Sequence, residues 1–458
     1  MSGVSGEMAT PQLPRPRTMA SRALGSGAWS MLSFAIGQSM RLASNLVLTR
    51  ILSPEDFGLM ALVSSFMIGL AMFSDMGIAQ SILQSKRGDD PAFLDTAWTI
   101  KVIRGFILFG VSCLMAWPLA QFYDVPSLLW IFPAAASSML VGGFVSTKID
   151  TAARHLQIGR LTMVELGSQL MGILITVIAA LIMRDVWALV WGIVLGAFVQ
   201  LAMIHYLVPG HTDRFRMEPE ARHEIVKFGK WIFFSTICGF LLFQGDRLVL
   251  GRVLDLDHLG VYNIGLFLAS VPSQLGAAIA GRLFIPMYRE HPPGESLENR
   301  HTLQRTRAGF TLLLLAVGIT LALIGPWLVS HLYDPRYARA GGMLVVIASI
   351  QLLVVVPISY ESAALAAGDS RAFFVLQCSR ATIYFSLVLA GTWFFGLTGL
   401  LAGQALAQLC CYPVVVWLAR RQRAWDPRHD IVAIAIALAG AACALIMHAD
   451  IVSEALLH

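Results

Sequence analysis

Apolar residues run along this chain in long unbroken stretches, separated by short polar turns. A helix needs roughly 20 such residues to cross a hydrocarbon core of about 30 Å. Stretches of that length fall near 24–48, 58–83, 98–122, 127–147, 162–183, 186–208, 228–251, 259–285, 308–332, 340–366, 373–395, 397–419 and 431–449. They are too long and too continuously apolar to alternate at period 2, which excludes a closed barrel and leaves helices to satisfy the backbone in lipid. The stretch at 431–449 reads either as half of a lost hairpin or as followed by the start of a fourteenth segment at Ile451 to His458. Ser53-Pro54-Glu55-Asp56 opens the second stretch with the residues that a first helical turn prefers. The connectors 209–227 and 286–307 are the longest and carry charge, as surface helices would.

The pattern repeats. Asn45 to Leu52 reads NLVLTRIL and Arg247 to Leu254 reads RLVLGRVL, an offset of 202 that also matches Trp29 with Trp231, Arg50 with Arg252 and Gly58 with Gly260. Trp117 to Asp124, WPLAQFYD, returns as WLVSHLYD at Trp327 to Asp334, an offset of 210. Six stretches separate the equivalents in each case, so both halves cross the membrane in the same sense. The expected fold is an all-α integral membrane protein of about 13 (12–14) transmembrane helices, with two six-helix bundles related by a pseudo-twofold axis along the membrane normal. The division is a tail at 1–22, a bundle at 23–208, a linker at 209–227, a second bundle at 228–419, and a basic loop with an extra helix at 420–458.

Composition supports the membrane assignment: 57% of the 458 residues are hydrophobic and 13% charged, with a mean hydropathy of +0.69. A water-soluble domain needs more polar surface than that. The tail is polar, with Arg15, Arg17 and Arg22, and no short apolar region with a small-residue cleavage site follows it. The first stretch is therefore expected to stay as an anchor. Of the 33 lysines and arginines, 21 fall between stretches on one side and five on the other, which places the amino end in the cytoplasm. The net charge of +5 thus reflects topology, and no nucleic-acid surface is expected. The six cysteines lie inside apolar stretches without a C-x-x-C pair or metal-ligand spacing, and are expected to be buried free thiols. No cofactor or metal is expected. No segment is long enough for a soluble catalytic domain, so an enzyme is not expected either.

A tryptophan-bearing first helix, the turn R-I-L-S-P-E-D-F-G at Arg50 to Gly58, and a second helix ending in S-D-M-G-I-A-Q-S-I at Ser74 to Ile82 together resemble the polysaccharide transporter (PST), or Wzx-type flippase, family. That family belongs to the multidrug/oligosaccharidyl-lipid/polysaccharide (MOP) exporter superfamily. The resemblance extends through about residue 420. It implies a bacterial inner-membrane exporter that moves undecaprenyl-diphosphate-linked oligosaccharide, an O-antigen, capsule or exopolysaccharide repeat, from the inner to the outer leaflet. Its implied partners are the lipid-linked glycan, membrane lipids and a polysaccharide polymerase, and a monomer suffices for a duplicated bundle.

Charges inside the apolar stretches are where such a function leaves a mark, because each costs about 2.5–3.5 kcal/mol at a helix centre on insertion scales. Arg41, Arg104, Arg247 and Arg380 are the candidates for lining a cleft and binding a diphosphate with guanidinium forks. Arg41 is the foremost, amid Gly37, Gln38, Ser39, Ser44 and Asn45. Asp75, Glu165, Asp246 and Glu361 are candidates for ion pairs or proton carriage, with Asp246 beside Arg247 as a structural pair. Lys101, Lys230 and Arg282 lie near helix ends and are expected to snorkel to the interface. Arg50 and Arg252 are expected to cap helix C-termini, and Trp117, Phe122, Tyr123, Trp327 and Tyr333 to form an outer aromatic belt. Gly37, Gly69, Gly276 and their like suit close packing or alternating access, while Pro133, Pro272 and Pro357 are expected to kink helices. Two other functions fit less well. A cation antiporter of the same superfamily calls for unpaired carboxylates, and a polymerase or ligase for a large outer loop. A flippase for peptidoglycan lipid precursors remains the near alternative.

Overall fold

The computed structural model describes residues 19–74, 77–155 and 157–456, with side chains for all of these except 19–32, 158, 227–235 and 370. The described residues are helical with short connections. The first half holds α1 (Met19–Ile51), α2 (Pro54–Phe73), α3 (Ile78–Gln84), α4 (Pro91–Tyr123), α5 (Leu128–Gly143), α6 (Lys148–Arg154), α7 (Ile158–Met183) and α8 (Trp187–Leu207). The second holds α9 (Pro219–Val253), α10 (Leu256–Ala269), α11 (Val271–Glu290), α12 (Leu297–Leu332), α13 (Ala340–Val355), α14 (Ile358–Ala366), α15 (Ser370–Arg421), α16 (Pro427–Met447) and α17 (Ala449–Leu456). Among the described residues, eight helices are long and apolar enough to span a membrane, or ten when the bent pairs α5–α6 (60°) and α10–α11 (44°) each count as one. The chain is an all-α, multi-pass membrane protein.

Helix α15 is two helices in one. Phe395 and Gly396 leave helical geometry, and Gly396, at φ 57° and ψ −133°, occupies a region open to glycine. The arms then fold back on each other: a Cβ on Gly391 would lie 2.1 Å from the Gly399 carbonyl oxygen, and one on Gly399 1.9 Å from that of Gly391. The predicted division between 373–395 and 397–419 falls on this break. Pro272 and Pro357 sit at junctions between helices and Pro133 within α5. The 209–227 connector departs from the expected surface helix. Residues 209–218 are non-helical and the remainder is the first part of α9. The 286–307 connector likewise shrinks to a short loop between α11 and α12.

The repeat equivalents meet each other. Ser53 caps α2: its Oγ accepts from Asp56 N (3.3 Å) while its own N–H donates to Asp56 Oδ2 (2.9 Å). At the same place in the second half, Asp255 caps α10 by accepting from His258 N at 2.8 Å. The two first turns are in backbone contact. A Cβ on Gly58 would lie 1.8 Å from the Leu256 carbonyl oxygen, and one on Gly260 1.9 Å from the Pro54 carbonyl oxygen. Alanine at either glycine is expected to cost about 1–3 kcal/mol through overpacking. Gly309→Ala, where the added Cβ meets nothing within 4 Å, serves as the control; thermal unfolding in detergent compares them.

This contact marks what we call the far face; the opposite face, where 209–218 lies, is the linker face. The largest apolar core draws on both halves, with Leu52, Leu62 and Phe132 of the first beside Tyr262, Leu344 and Leu400 of the second. Further bonds clamp the halves at the far face. Arg252 reaches Asp124 at 3.5 Å, Tyr123 Oη donates to the Leu248 carbonyl at 3.1 Å, and Tyr337 Oη donates to the Leu52 carbonyl at 3.2 Å. Toward the linker face the cores are smaller, and one of them packs Ala221 and Ile225 at the start of α9 against Ile82, Phe93 and Leu94 of α3 and α4. A second, around Phe284, Leu314 and Tyr360, belongs to the second half alone, and a third, around Val164 and Ile204, to the first.

Two expectations at the far face are revised. Trp117, Phe122 and Trp327 are exposed as a belt requires, but Tyr123 and Tyr333 are buried, because their rings fill the seam between halves. The α1 terminus is capped by Arg336, whose Nη2 donates to the Thr49 and Arg50 carbonyls at 3.3 Å, rather than by Arg50. Three of the six cysteines, Cys113, Cys410 and Cys443, are exposed on the apolar outer surface of the helices, and Cys411 is buried. Cys238 and Cys378 lie between these extremes, with their sulfurs 2.9 Å apart.

Candidate functional site

The structure divides the intramembrane charges into those held by the protein and those left open. Arg104, on α4, donates from Nε to Ser74 Oγ and from Nη2 to the Ala71 carbonyl, both at 2.8 Å. It thus sits at the C-terminus of α2, where a cation meets the negative end of the helix dipole. Arg247 donates to Gln244 Oε1 at 2.7 Å and to Asn263 Oδ1 at 3.1 Å. Arg380 pairs with Glu361, an ion pair between α15 and α14 that sequence alone left unassigned. Lys101 pairs with Asp150 rather than snorkelling. Asp75 and the side chain of Lys230 lie outside the described residues.

The expected Asp246–Arg247 pair does not form. Neighbours in a helix point in different directions. Asp246 is buried and accepts a hydrogen bond from Tyr262 Oη at 2.7 Å, while its link to Arg247 is through that residue's backbone N–H. The same network continues from Ser65 Oγ to Gln244 Oε1 (2.9 Å), and from Gln404 Nε2 to Tyr262 Oη (3.3 Å) and Tyr384 Oη (3.0 Å). These contacts join α2, α9, α10 and both arms of α15, and hold Arg247 as a structural residue between the halves.

Arg41 is different. It is exposed and, among the described residues, its side chain has no hydrogen bond or ion pair, although it lies ten residues before the end of α1, about 15 Å of helix. One turn before it, Gln38 Nε2 donates to Gln274 Oε1 of α11 at 3.2 Å, the side-chain hydrogen bond between α1 and the second half at this depth. Gln38 Oε1 is buried without a partner among the described residues. Gln169 of α7 donates to the Gly37 carbonyl at 2.9 Å. Glu165, one turn before Gln169, and Arg282, two turns beyond Gln274, are both exposed and likewise unpaired among the described residues. The result is a polar track along α1, α7 and α11 that includes two open guanidinium groups, one on each half.

At the linker face the 209–218 strap is fastened to the first half. Asp95 accepts from the Arg214 N–H (2.9 Å) and lies 2.7 Å from His211 Nε2, and Thr99 and Thr96 accept from the N–H groups of Arg216 (3.1 Å) and Glu218 (3.0 Å). Arg87 bridges Glu218 and Asp90. Those hydrogen bonds raise the Arg87 pKa, and Arg87 in turn holds the Asp90 carboxyl below its usual range.

One cluster escaped sequence reasoning. Arg307 is completely buried. It donates to Ser359 Oγ (3.1 Å), the Ala424 carbonyl (2.9 Å) and Tyr288 Oη (2.6 Å), and its guanidinium lies 4.2 Å from the centre of the Tyr360 ring. Tyr360 and Tyr412 donate to buried Asp430, at 2.8 and 2.7 Å, and His429 Nδ1 lies 2.8 Å from the same carboxylate. The sequence places Arg307 one residue before an apolar stretch, in a charged connector expected at the membrane surface. Because α12 begins at Leu297, Arg307 is instead three turns inside a helix. Tyr288, Tyr360 and Tyr412, polar rings in or beside apolar stretches, were the available signal.

Residues 47–341 match the family described as polysaccharide biosynthesis protein. The succinoglycan biosynthesis transport protein ExoT of Rhizobium meliloti (strain 1021) is 25% identical over 303 residues, 65% of this chain and 58% of that protein. The lipopolysaccharide biosynthesis protein WzxC of Escherichia coli (strain K12) is 27% identical over 320 residues, 68% of this chain and 62% of its own. The chain thus matches about three fifths of the length of these relatives. Among solved structures, the lipid II flippase MurJ in an inward closed conformation superposes with a TM-score of 0.68 at 11% identity, covering 93% of this chain and 99% of that one. An inward-facing multidrug resistance MATE family transporter of the MOP superfamily gives 0.60 at 14% identity, covering 86% and 98%.

Proposed function

Since the chain belongs to the polysaccharide biosynthesis protein family, we propose that it carries a lipid-diphosphate-linked oligosaccharide repeat across the bacterial inner membrane by alternating access. The observation that carries this reading is the polar track with Arg41 left open at mid-depth, in a molecule whose largest core joins the halves at the far face, while two smaller cores toward the linker face each belong to one half and a third joins only the start of α9 to α3 and α4. On this reading the amino terminus is cytoplasmic, the far face is the outer one, and this is the state closed to the outside. The two halves are related by a pseudo-twofold axis through the Gly58–Gly260 contact.

Arg41 and Arg282 take the diphosphate through bidentate hydrogen bonds. The amide groups of Gln38, Gln169 and Gln274 suit sugar hydroxyls, Gln38 Oε1 as an acceptor. Arg104, Arg247 and Arg380 hold helices together around this path. Each negative charge that leaves an inside-negative cytoplasm gains about 2.3 kcal/mol per 100 mV, so export runs downhill without ion coupling.

Deleting the gene in its host is expected to leave one intact repeat unit, linked to undecaprenyl diphosphate, on the inner leaflet, with loss of surface polysaccharide. Lipid extraction and external lectin labelling read both. Unchanged lipid-linked glycans and surface polysaccharide overturn the reading in favour of a small-molecule antiporter, and accumulation of peptidoglycan precursor in favour of a flippase for that lipid.

A further inference from the structure

A second polar site lies at the linker face of the second half, away from the track. The loop before α12 and the turn after α15 line an open cavity of about 490 Å³, bordered by Gly294, Glu295, Arg300, Arg420, Arg423 and Trp425 among others. Its walls carry three guanidinium groups against one carboxylate. On the same face, Arg87, Arg154 and Arg421 end on carboxylates. Among the described residues, the side chains of Arg300 and Arg423 have no hydrogen bond or ion pair, and the Arg420 side chain has only the Trp425 ring, 4.0 Å from its guanidinium carbon.

The cavity is built rather than incidental. Arg423 adopts φ 53°, a left-handed conformation at a helix end where glycine is the usual residue. The turn is closed by Ala424 N to the Ala419 carbonyl at 2.8 Å and by Arg423 N to the Arg420 carbonyl at 3.0 Å. From behind, buried Arg307 grips the Ala424 carbonyl at 2.9 Å. Across the cavity, Gly294 lets the loop backbone lie against Arg423, since a Cβ there would be 3.0 Å from the Arg423 Cδ. A strained arginine in place of glycine, held rigidly over a cavity with two other unpaired arginines, has the chemistry of an anion site. Arginine forks match phosphate oxygens, and an arginine stacked on an indole keeps its donor edge outward. The site stands at the ends of α12 and α15, where tryptophan and arginine mark the level of lipid headgroups.

We infer that this cavity binds a phosphate group, a site separate from the transport path and independent of the cargo assigned to it. The two sources of that chemistry are an anionic phospholipid headgroup and a soluble phosphate. The test is native mass spectrometry of the purified full chain titrated with phosphatidylglycerol, alongside thermal unfolding with added inorganic phosphate.

The double variant Arg300→Gln/Arg423→Gln is expected to bind one fewer phosphatidylglycerol, or to bind it about tenfold more weakly, as loss of charge-assisted hydrogen bonds predicts. Trp425→Leu, which leaves the net charge alone, is expected to weaken binding as well. Arg289→Gln/Arg371→Gln, which removes equal charge elsewhere, is expected to leave it unchanged. Weakened lipid binding without a phosphate-dependent shift in the wild type identifies the headgroup as the ligand; a phosphate shift lost in the double variant identifies the soluble anion. Equal binding of both probes by the wild type and the double variant overturns the site, and so does equal weakening by the distant pair.

Discussion

Arg41→Ala is expected to lower export by about 10- to 100-fold at unchanged protein level, since each hydrogen bond to a charged partner contributes about 1.5–3 kcal/mol. Arg41 is exposed and unpaired among the described residues, so removing it disturbs no protein contact and melting in detergent is expected to stay the same. Arg41→Lys keeps the charge and loses the fork, and is expected to fall between the two. The same change at Arg380 has a different signature. It strands Glu361, so stability falls together with transport. Complementation of a deletion strain, scored by external lectin labelling, separates these outcomes. Full export by Arg41→Ala would remove this residue from the headgroup role and leave the family assignment standing.

Arg307→Met is expected to destabilise the second half by about 3–5 kcal/mol, the cost of breaking a buried charged network by removing one member. The substitution leaves the Ala424 carbonyl and Tyr288 Oη without their partner and takes the cation from beside the Tyr360 ring. Asp430, reached from Arg307 through Tyr360, then keeps a buried negative charge with less to balance it. The double variant Arg307→Met/Asp430→Asn removes both charges and is expected to lose less than the sum of the single changes, a coupling that a double-mutant cycle in thermal unfolding measures. A loss below about 1 kcal/mol for Arg307→Met would place it among ordinary surface changes. Because Arg307 also fixes the turn that carries Arg423, phosphatidylglycerol binding is expected to weaken in the same variant.

Much of this molecule is legible along the chain. The apolar stretches, the Ser53 cap, the hairpin break at Gly396 and the Gly58–Gly260 equivalence depend on neighbours a few residues apart or on a repeat visible in the letters. Helix formation and membrane insertion respond to such local and compositional features. The repeat also puts Arg50 and Arg252 at equivalent turns, without saying which groups they meet.

Pairing was beyond reach. Whether an intramembrane arginine is open or occupied turns on what lies opposite, and Arg41, Arg104, Arg247 and Arg380 look alike as apolar-stretch arginines. Only tertiary packing sends Arg380 to Glu361, Arg104 to the end of α2 and Arg247 away from its neighbour Asp246, and leaves Arg41 exposed beside the Gln38–Gln274 contact. The Arg307 cluster was hidden for the same reason, its members being spread over α11, α12, α14, α15 and α16. The sequence by itself determined the all-α membrane fold and the family. The tertiary structure decided which charges remain for a ligand, because a buried charge must find its partner in space and that partner is seldom near in sequence.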